Sequence, residues 1–288
     1  MPDSRLQRVI AVKRMVIDRL ATLAADCAAA IVLAPLIAIF AYLIIRGMDA
    51  ISLTFLTQAP KPVGEVGGGI GNAIVGSALI LGVACAVGVP LGIGAGIYLA
   101  EYGRGRFADL VRFVADVLNG VPSIVIGIAV YALIVVRQKH FSAFSGGIGL
   151  GIMMIPVITR ATEQILLMVP RAVREAALGL GIAHWRTVIS VVLRTASAGV
   201  ITGVMLAFAR VAGETAPLLF TAFGNQFWSF RLDQPIAALP LQIFIYAISP
   251  YEEWHRAAWA GALVLIALIV GVVFLVRVTN RRSIKGAA

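Results

Sequence analysis

The sequence predicts an all-α integral membrane protein with six transmembrane helices. Two compositional features and one hydropathy value support this fold class: 60% of the 288 residues are hydrophobic, only 13% are charged, and the mean hydropathy is +0.95. A soluble globular domain carries about 25% charged residues, so most of this chain must avoid water in another way. A lipid bilayer is the simplest explanation of this composition.

Six apolar runs are each long enough to cross about 30 Å of hydrocarbon as a helix. The predicted spans are 27–45, 73–99, 117–136, 148–168, 196–220 and 257–276. Backbone polar groups in lipid must be paired within the segment, which favours helices, and the runs do not alternate as barrel strands do. The first run follows a long basic stretch and precedes no obvious cleavage site, so we expect a span rather than a signal peptide.

The distribution of lysine and arginine predicts the orientation of these spans. The two termini with the second and fourth connections carry sixteen of these residues. The other three connections carry six. An excess of lysine and arginine marks the cytoplasmic side, so both termini are expected there. The predicted organisation is a basic cytoplasmic segment 1–26, a six-span membrane domain 27–276 and a basic cytoplasmic tail 277–288.

Several function classes lack their usual signals in this sequence. The net charge of +10 lies in short connections, without the basic, aromatic-rich stripe of a nucleic-acid groove. Cys27 and Cys85 lie in apolar runs and the three histidines are isolated, so no metal site is predicted. No Gly-Lys pair is present, which excludes a Walker A phosphate loop, and we expect no cofactor in this chain.

Glycines in the second run predict close helix packing. Gly88, Gly92 and Gly96 recur every four residues and therefore share one helix face. Helices in lipid approach closely where small residues meet. A phosphate-binding loop is the less favoured alternative, because no strand precedes these glycines.

The connection between the fourth and fifth runs is long enough to carry a function of its own. It reads "VPRAVREAALGLGIAHWRTVISVVLR" over 169–194. Pro170 suits the first turn of a helix and Gly181 can end that helix in a left-handed cap, so a short cytoplasmic helix is predicted. A simple connecting hairpin is the alternative.

At these residues the chain resembles the permease subunits of ABC importers, which carry a cytoplasmic coupling loop. The family's pattern is Glu-Ala-Ala, three residues, Gly, nine residues, then Ile-x-Leu-Pro. The matching residues here are Glu175, Ala176, Ala177, Gly181, Val191 and Leu193, with Arg194 in place of the final proline. The resemblance implies a type I (MetI-like) bundle and a coupling helix that docks on a separate ATPase subunit.

Three further segments are similar to the phosphate-specific branch of this family, the permeases of the PstA type. They are "NGVPSIVIGI" (119–128), "ARVAGETAPLLFTAFGNQFW" (209–228) and "ALPLQIFIYAISP" (238–250). The resemblance implies import of inorganic phosphate across a bacterial inner membrane. It also implies a homologous PstC-type permease, a PstB-type ATPase dimer that binds the ATP, and an external PstS-type phosphate-binding protein. The chain itself is then a transport subunit and not an enzyme.

Four ionisable residues inside the fourth and fifth runs are the candidate substrate pathway: Arg160, Glu163, Arg210 and Glu214. A central arginine costs about 2.5–3.5 kcal/mol on insertion scales, so these side chains should face the bundle interior or a wet cavity. A guanidinium fork fits two phosphate oxygens, and a nearby carboxylate would keep binding weak enough for release. The alternative is two intrahelical ion pairs at i,i+3 and i,i+4 that only hold helices together.

Three polar residues beside prolines are weaker pathway candidates: Asn119, Ser123 and Thr215. Helix packing explains each of them equally well, because a proline frees a backbone carbonyl inside a membrane helix.

Uphill uptake of phosphate requires an energy source. Moving a dianion into a negative interior costs about 4.6 kcal/mol at 100 mV, and each tenfold gradient adds about 1.4 kcal/mol. Two alternatives stay open: an ABC permease for another oxyanion or small solute, and an ion-coupled secondary transporter, which would predict inverted repeats.

Overall fold

The computed structural model describes residues 4–65 and 67–285, and this part of the chain is almost entirely helical. Residues 1–3 of the predicted N-terminal segment and 286–288 of the predicted tail lie outside the described residues. The first half contains α1 (Ser4–Gly47), α2 (Leu53–Thr57), α3 (Gly71–Ile97), α4 (Arg106–Gly120), α5 (Ser123–Val130) and α6 (Val136–Gln138). The second half contains α7 (Ala143–Leu167), α8 (Arg171–Gly179), α9 (His184–Thr187), α10 (Leu193–Ala212), α11 (Ala216–Thr221), α12 (Leu239–Ala247) and α13 (Glu252–Lys285).

The six predicted spans correspond to five continuous membrane-length helices and one bent pair in the described residues. The continuous stretches are Lys13–Ala50, Gly71–Tyr102, Ala143–Leu167, His184–Ala212 and Glu252–Asn280. A wider π-helical turn extends the end of α3 over Tyr98–Tyr102, and another joins α9 to α10 over Val188–Val192. The fold class expected from composition is therefore confirmed.

Two predicted spans differ from the structure in their course. The third run, 117–136, is not one helix: α4 ends at Gly120, and α5 with α6 continues at 104° to it. Pro122 removes a backbone donor and disfavours helix in the residue before it, which explains the break. The fifth run, 196–220, is interrupted between Ala212 and Ala216.

The centre of the bundle is the packing of α3 on α7, which run in the same direction. A side chain at Gly92 would place its Cβ 2.7 Å from the Ile158 Cβ, and one at Gly96 would place it 2.5 Å from the Thr162 Cβ. The close packing predicted for the glycine face of α3 is thereby confirmed. Around this pair the largest apolar cluster also takes side chains from α5, α10, α11 and α12.

A valine at Gly92 is expected to destabilise the bundle by about 1–3 kcal/mol, because the added atoms overlap α7. Gly94→Val is the matched control, since a Cβ at Gly94 meets nothing within 4 Å and the change in helix propensity is the same. Thermal unfolding of both variants in detergent measures the difference. Equal melting temperatures would contradict the packing described for α3 and α7.

The two ends of the bundle are distinguished by α3. Its start packs with α12 and α13 through Ile70, Ala73 and Ala258. Its far end leads to Glu101, which forms an ion pair with Arg174 of α8. We therefore refer to the α8 end and the opposite end, and the charge distribution predicts that the α8 end is cytoplasmic.

Candidate functional site

A network of charged side chains joins α4 to α7. Glu163 is only 2% exposed at its side chain and lies between two arginines. Its Oε1 accepts a hydrogen bond from Arg112 Nε at 2.7 Å, and its Oε2 accepts one from Arg160 Nη1 at 2.7 Å. Such charge-assisted hydrogen bonds are short and about twice as strong as neutral ones, so Glu163 fixes the two helices to each other.

Arg160 is held by a second carboxylate as well. Its Nε and Nη2 donate to Asp116 Oδ1 and Oδ2, both at 2.9 Å, in a bidentate pair. The side chains of Asp116 and Arg160 are 54% and 31% exposed. This part of the network is therefore accessible at the surface of the single chain. Arg112 also contacts Asp109, which gives the network two arginines against three carboxylates.

The predicted pair Arg160 and Glu163 therefore forms, but Arg112 and Asp116 were missed by sequence reasoning. The signal was present in α4: Asp109, Arg112 and Asp116 follow helical spacing on one face. The apolar residues of α4 that remain exposed lie on another face and include Phe107, Leu110 and Phe113. This amphipathic pattern was hidden because the third span was drawn from residue 117 onward.

The predicted pair Arg210 and Glu214 does not form. Helix α10 ends at Ala212, so the four-residue spacing no longer places the two side chains on one helical face. Arg210 is exposed and Glu214 half-buried, and neither side chain has a hydrogen bond or ion pair with the side chains described in 13–65 and 67–280. The alternative of two intrahelical ion pairs is thus wrong for this second pair.

The four predicted charges lie at two depths instead of forming one set. Helices α10 and α7 are antiparallel, because a Cβ at Gly199 would meet Ile165 and one at Gly203 would meet Ala161. Arg210 is seven residues beyond Gly203, or about 10 Å further along the helix axis at 1.5 Å per residue. Arg210 and Glu214 therefore lie towards the opposite end, whereas Arg160 and Glu163 lie nearer the α8 end.

The weaker candidates lie at the two helix breaks. Asn119 is near the end of α4, Ser123 begins α5, and Thr215 is in the interruption before α11; all three are half-buried. The helices that follow the breaks pack together, since a Cβ at Gly127 would lie 2.6 Å from the Pro217 Cα. The breaks thus belong to one packed region.

The connection 169–194 contains the predicted short helix. Pro170 precedes α8, and Gly181 adopts a left-handed φ of +77° just after it. The Gly181 and Ile182 amides donate to the carbonyls of Leu178 and Ala177, which completes the predicted cap. Glu175 and Ala176 face outward, whereas Ala177 is 6% exposed.

Arg174 connects this helix to the ends of two membrane helices. Its Nη2 donates to Glu101 Oε1 at 2.7 Å and to the Leu166 carbonyl at 2.7 Å, and its Nη1 donates to the Val169 carbonyl. The Glu101 side chain is 4% exposed, so the pair is shielded from water. The pair of Glu101 and Arg174 could not be predicted from local spacing, because the two residues are 73 positions apart.

Comparison with known proteins matches residues 88–285 to the family described as binding-protein-dependent transport system inner membrane component. The matched region includes α8, the network of α4 and α7, and Arg210. The chain belongs to this family. It is therefore a multi-pass membrane permease of the ABC importer type, with the bundle architecture that the resemblance implied.

Curated relatives and solved structures agree with this assignment. The chain is 47% identical over 234 residues to the phosphate transport system permease protein PstA of Yersinia pestis, covering 81% of this chain and 79% of the relative. It is 49% identical over 231 residues to the protein of the same name from Xylella fastidiosa, covering 79% and 80%. An inward-facing MetNI methionine ABC transporter matches with a TM-score of 0.56 at 17% identity, covering 76% of this chain and 95% of that one, which supports the fold.

Proposed function

We propose that this chain is the channel-forming permease subunit of an ATP-driven inorganic phosphate importer. The observation that carries the proposal is its 47–49% identity, over about four fifths of its length, to relatives named for phosphate transport. The chemistry agrees, because a strongly hydrated anion needs replacement donors inside the membrane, and arginine supplies them.

Arg210 is the first contact for phosphate in this proposal. It is exposed, it has no partner among the described side chains, and it lies on the part of α10 that points towards the predicted outer side. Glu214 is four residues further on, in the interruption of the helix. A free guanidinium near a carboxylate binds an anion and still releases it.

The network around Glu163 serves as the inner barrier. Both carboxylates bound to Arg160 must give way before that arginine can bind phosphate, so the network holds the path closed while the ion pairs are intact. Movement of α4 relative to α7 breaks these pairs and exposes Arg160. Arg160 and Glu163 thus keep their proposed place in the pathway, with Arg112 and Asp116 added to them.

The segment 169–194 supplies the coupling surface for an ATPase. Several of its large apolar side chains are exposed at the predicted cytoplasmic end: Leu178, Leu180, Trp185 and Ile189. Exposed apolar groups outside the membrane mark a protein interface. Glu175, Ala176 and Gly181 are expected to contact a PstB-type ATPase dimer that binds the ATP.

Two more partners complete the importer. A homologous PstC-type permease faces the exposed charges and encloses the pathway. An external PstS-type phosphate-binding protein delivers phosphate to the outer side. Alternating access then follows from ATP-driven movement of α8.

The proposal is tested by transport with the complex purified through a tag on this chain and reconstituted into liposomes. Radiolabelled phosphate supplied with the binding protein should accumulate only with ATP on the side of α8, and sulfate should not replace it. Accumulation driven by a proton or sodium gradient without ATP would establish a secondary transporter. ATP-driven transport of sulfate in preference to phosphate would establish an ABC permease for another oxyanion.

A further inference from the structure

A cavity of about 830 Å³ lies at the opposite end of the bundle, and none of its lining residues is assigned to phosphate or to the ATPase. It is bounded by the end of α1, by α12 and by the start of α13. Its charged and aromatic lining residues are Tyr42, Arg46, Asp49, Glu252, His255, Arg256 and Trp259, with His255 Nδ1 3.9 Å from Glu252 Oε1. The rest of the wall is mainly apolar and includes Ile243 and Ala262.

Close contact between α1 and α13 forms the cavity wall. A Cβ at Gly47 would lie 2.9 Å from the Trp259 carbonyl oxygen, so only a small residue allows this approach. The Tyr42 ring packs edge-on against the Trp259 ring, with centroids 5.1 Å apart. The Arg46 guanidinium lies over the other ring of this pair, 5.5 Å from the Tyr42 centroid.

The predicted spans place the cavity at the level of the lipid headgroups. The predicted span 27–45 ends there and the predicted span 257–276 begins there. Aromatic residues cluster at the same level, since Trp254 packs against both Tyr246 and Tyr251. Tyrosine and tryptophan concentrate at the membrane–water boundary, where one end of the ring is wet and the other apolar.

Helices α1 and α13 expose most of their apolar surface on this chain, because only 6% and 17% of their most apolar windows are buried inside it. In a bilayer, a crevice between two such exposed apolar helices is accessible to lipid. Its lining carries both signs of charge, with two arginines balanced by two carboxylates. A free phosphate dianion gains little from such a balanced site, whereas a zwitterion can pair both of its charges.

We propose that this cavity binds the headgroup of a zwitterionic phospholipid of the phosphoethanolamine class. Arg46 and Arg256 bind the phosphate, for which a guanidinium fork is suited. Asp49 and Glu252 face the ammonium group, which is attracted by carboxylates. This site is independent of the proposed transport pathway, because it shares no residue with it.

The test is native mass spectrometry of the purified complex after exchange into vesicles of phosphatidylethanolamine or phosphatidylglycerol. The intact complex should retain phosphatidylethanolamine, and the Arg46→Gln/Arg256→Gln variant should retain at least about tenfold less. Arg231→Gln is the matched control: Arg231 pairs with Asp233 in an exposed loop and does not line the cavity. Equal retention by all three proteins would overturn the proposal.

A second variant removes the acidic side of the site and guards against misfolding of the first. Asp49→Asn/Glu252→Gln should shift retention from phosphatidylethanolamine towards phosphatidylglycerol, because the ammonium loses its partners while the arginines remain. An unchanged lipid preference would contradict the proposal. Displacement of the bound lipid by inorganic phosphate would show that the cavity takes a free anion, and loss of a subunit from the complex would show that a protein fills it; either result also overturns the proposal.

Discussion

Replacing Glu163 with glutamine is expected to destabilise the protein by about 2–3 kcal/mol and to release α4 from α7. The amide keeps the size of the side chain but accepts only one of the two arginine hydrogen bonds, and its NH2 group then faces a guanidinium. The expected loss is below that for fully buried pairs, because Arg112 and Arg160 are each about 30% exposed and regain some hydration. Denaturant titration in detergent measures the change.

The matched control for Glu163 is Asp233→Asn, which also converts a carboxylate paired with arginine into an amide. Arg231 and Asp233 are 66% and 60% exposed, so this change should cost less than about 1 kcal/mol. If both variants unfold at the same denaturant concentration as the parent protein, Glu163 does not hold the helices together. In that case the barrier role assigned to the network would also fail.

Arg174→Lys is expected to uncouple ATP hydrolysis from transport. A lysine can pair with Glu101, but a single ammonium cannot also reach the carbonyls of Leu166 and Val169 that the guanidinium fork contacts. Losing one such hydrogen bond to a charged group costs about 1.5–3 kcal/mol. This corresponds to at least about a tenfold change in the equilibrium constant for the contact between α8 and the membrane helices. Phosphate uptake per ATP hydrolysed should fall by this factor.

The control for Arg174 lies in the same helix. Arg171 is exposed in the first turn of α8 and has no ion pair within the described side chains, so Arg171→Lys should leave the ratio of uptake to hydrolysis unchanged. Because Glu101 acts through Arg174, adding Glu101→Gln to Arg174→Lys should cost little more than either change alone. Additive losses, or an equal loss in Arg171→Lys, would contradict a mechanical role for this pair.

Hydropathy and local spacing predicted much of this fold because they depend on short stretches of chain. The glycine face of α3 and the Arg160–Glu163 pair follow from spacings of four and three residues, the cap at Gly181 follows from a glycine after a helical stretch, and the structure has all of them. The bend at 121–122 was missed because the apolar run continues across it, and hydropathy does not record chain direction. Pro122 was the available signal.

Long-range pairs could not be predicted in the same way. Arg160 and Asp116 are 44 residues apart, and Arg174 and Glu101 are 73 apart, so their contact depends on how whole helices pack. The converse error concerns Arg210 and Glu214, whose spacing suggests an ion pair only if the helix continues. Gly213 and Pro217 already indicated a site where the helix can break, and α10 does end before Glu214.

The most direct measurement is radiolabelled phosphate uptake by Arg210→Ala in cells that lack other phosphate transporters, with membrane amounts of the complex matched to the parent protein. Arg137→Ala is the control, because Arg137 is also exposed and also lacks a partner among the described side chains. Phosphate uptake should fall at least about tenfold in Arg210→Ala and stay near the parent rate in Arg137→Ala. Normal uptake by Arg210→Ala would contradict a phosphate pathway that begins at this arginine.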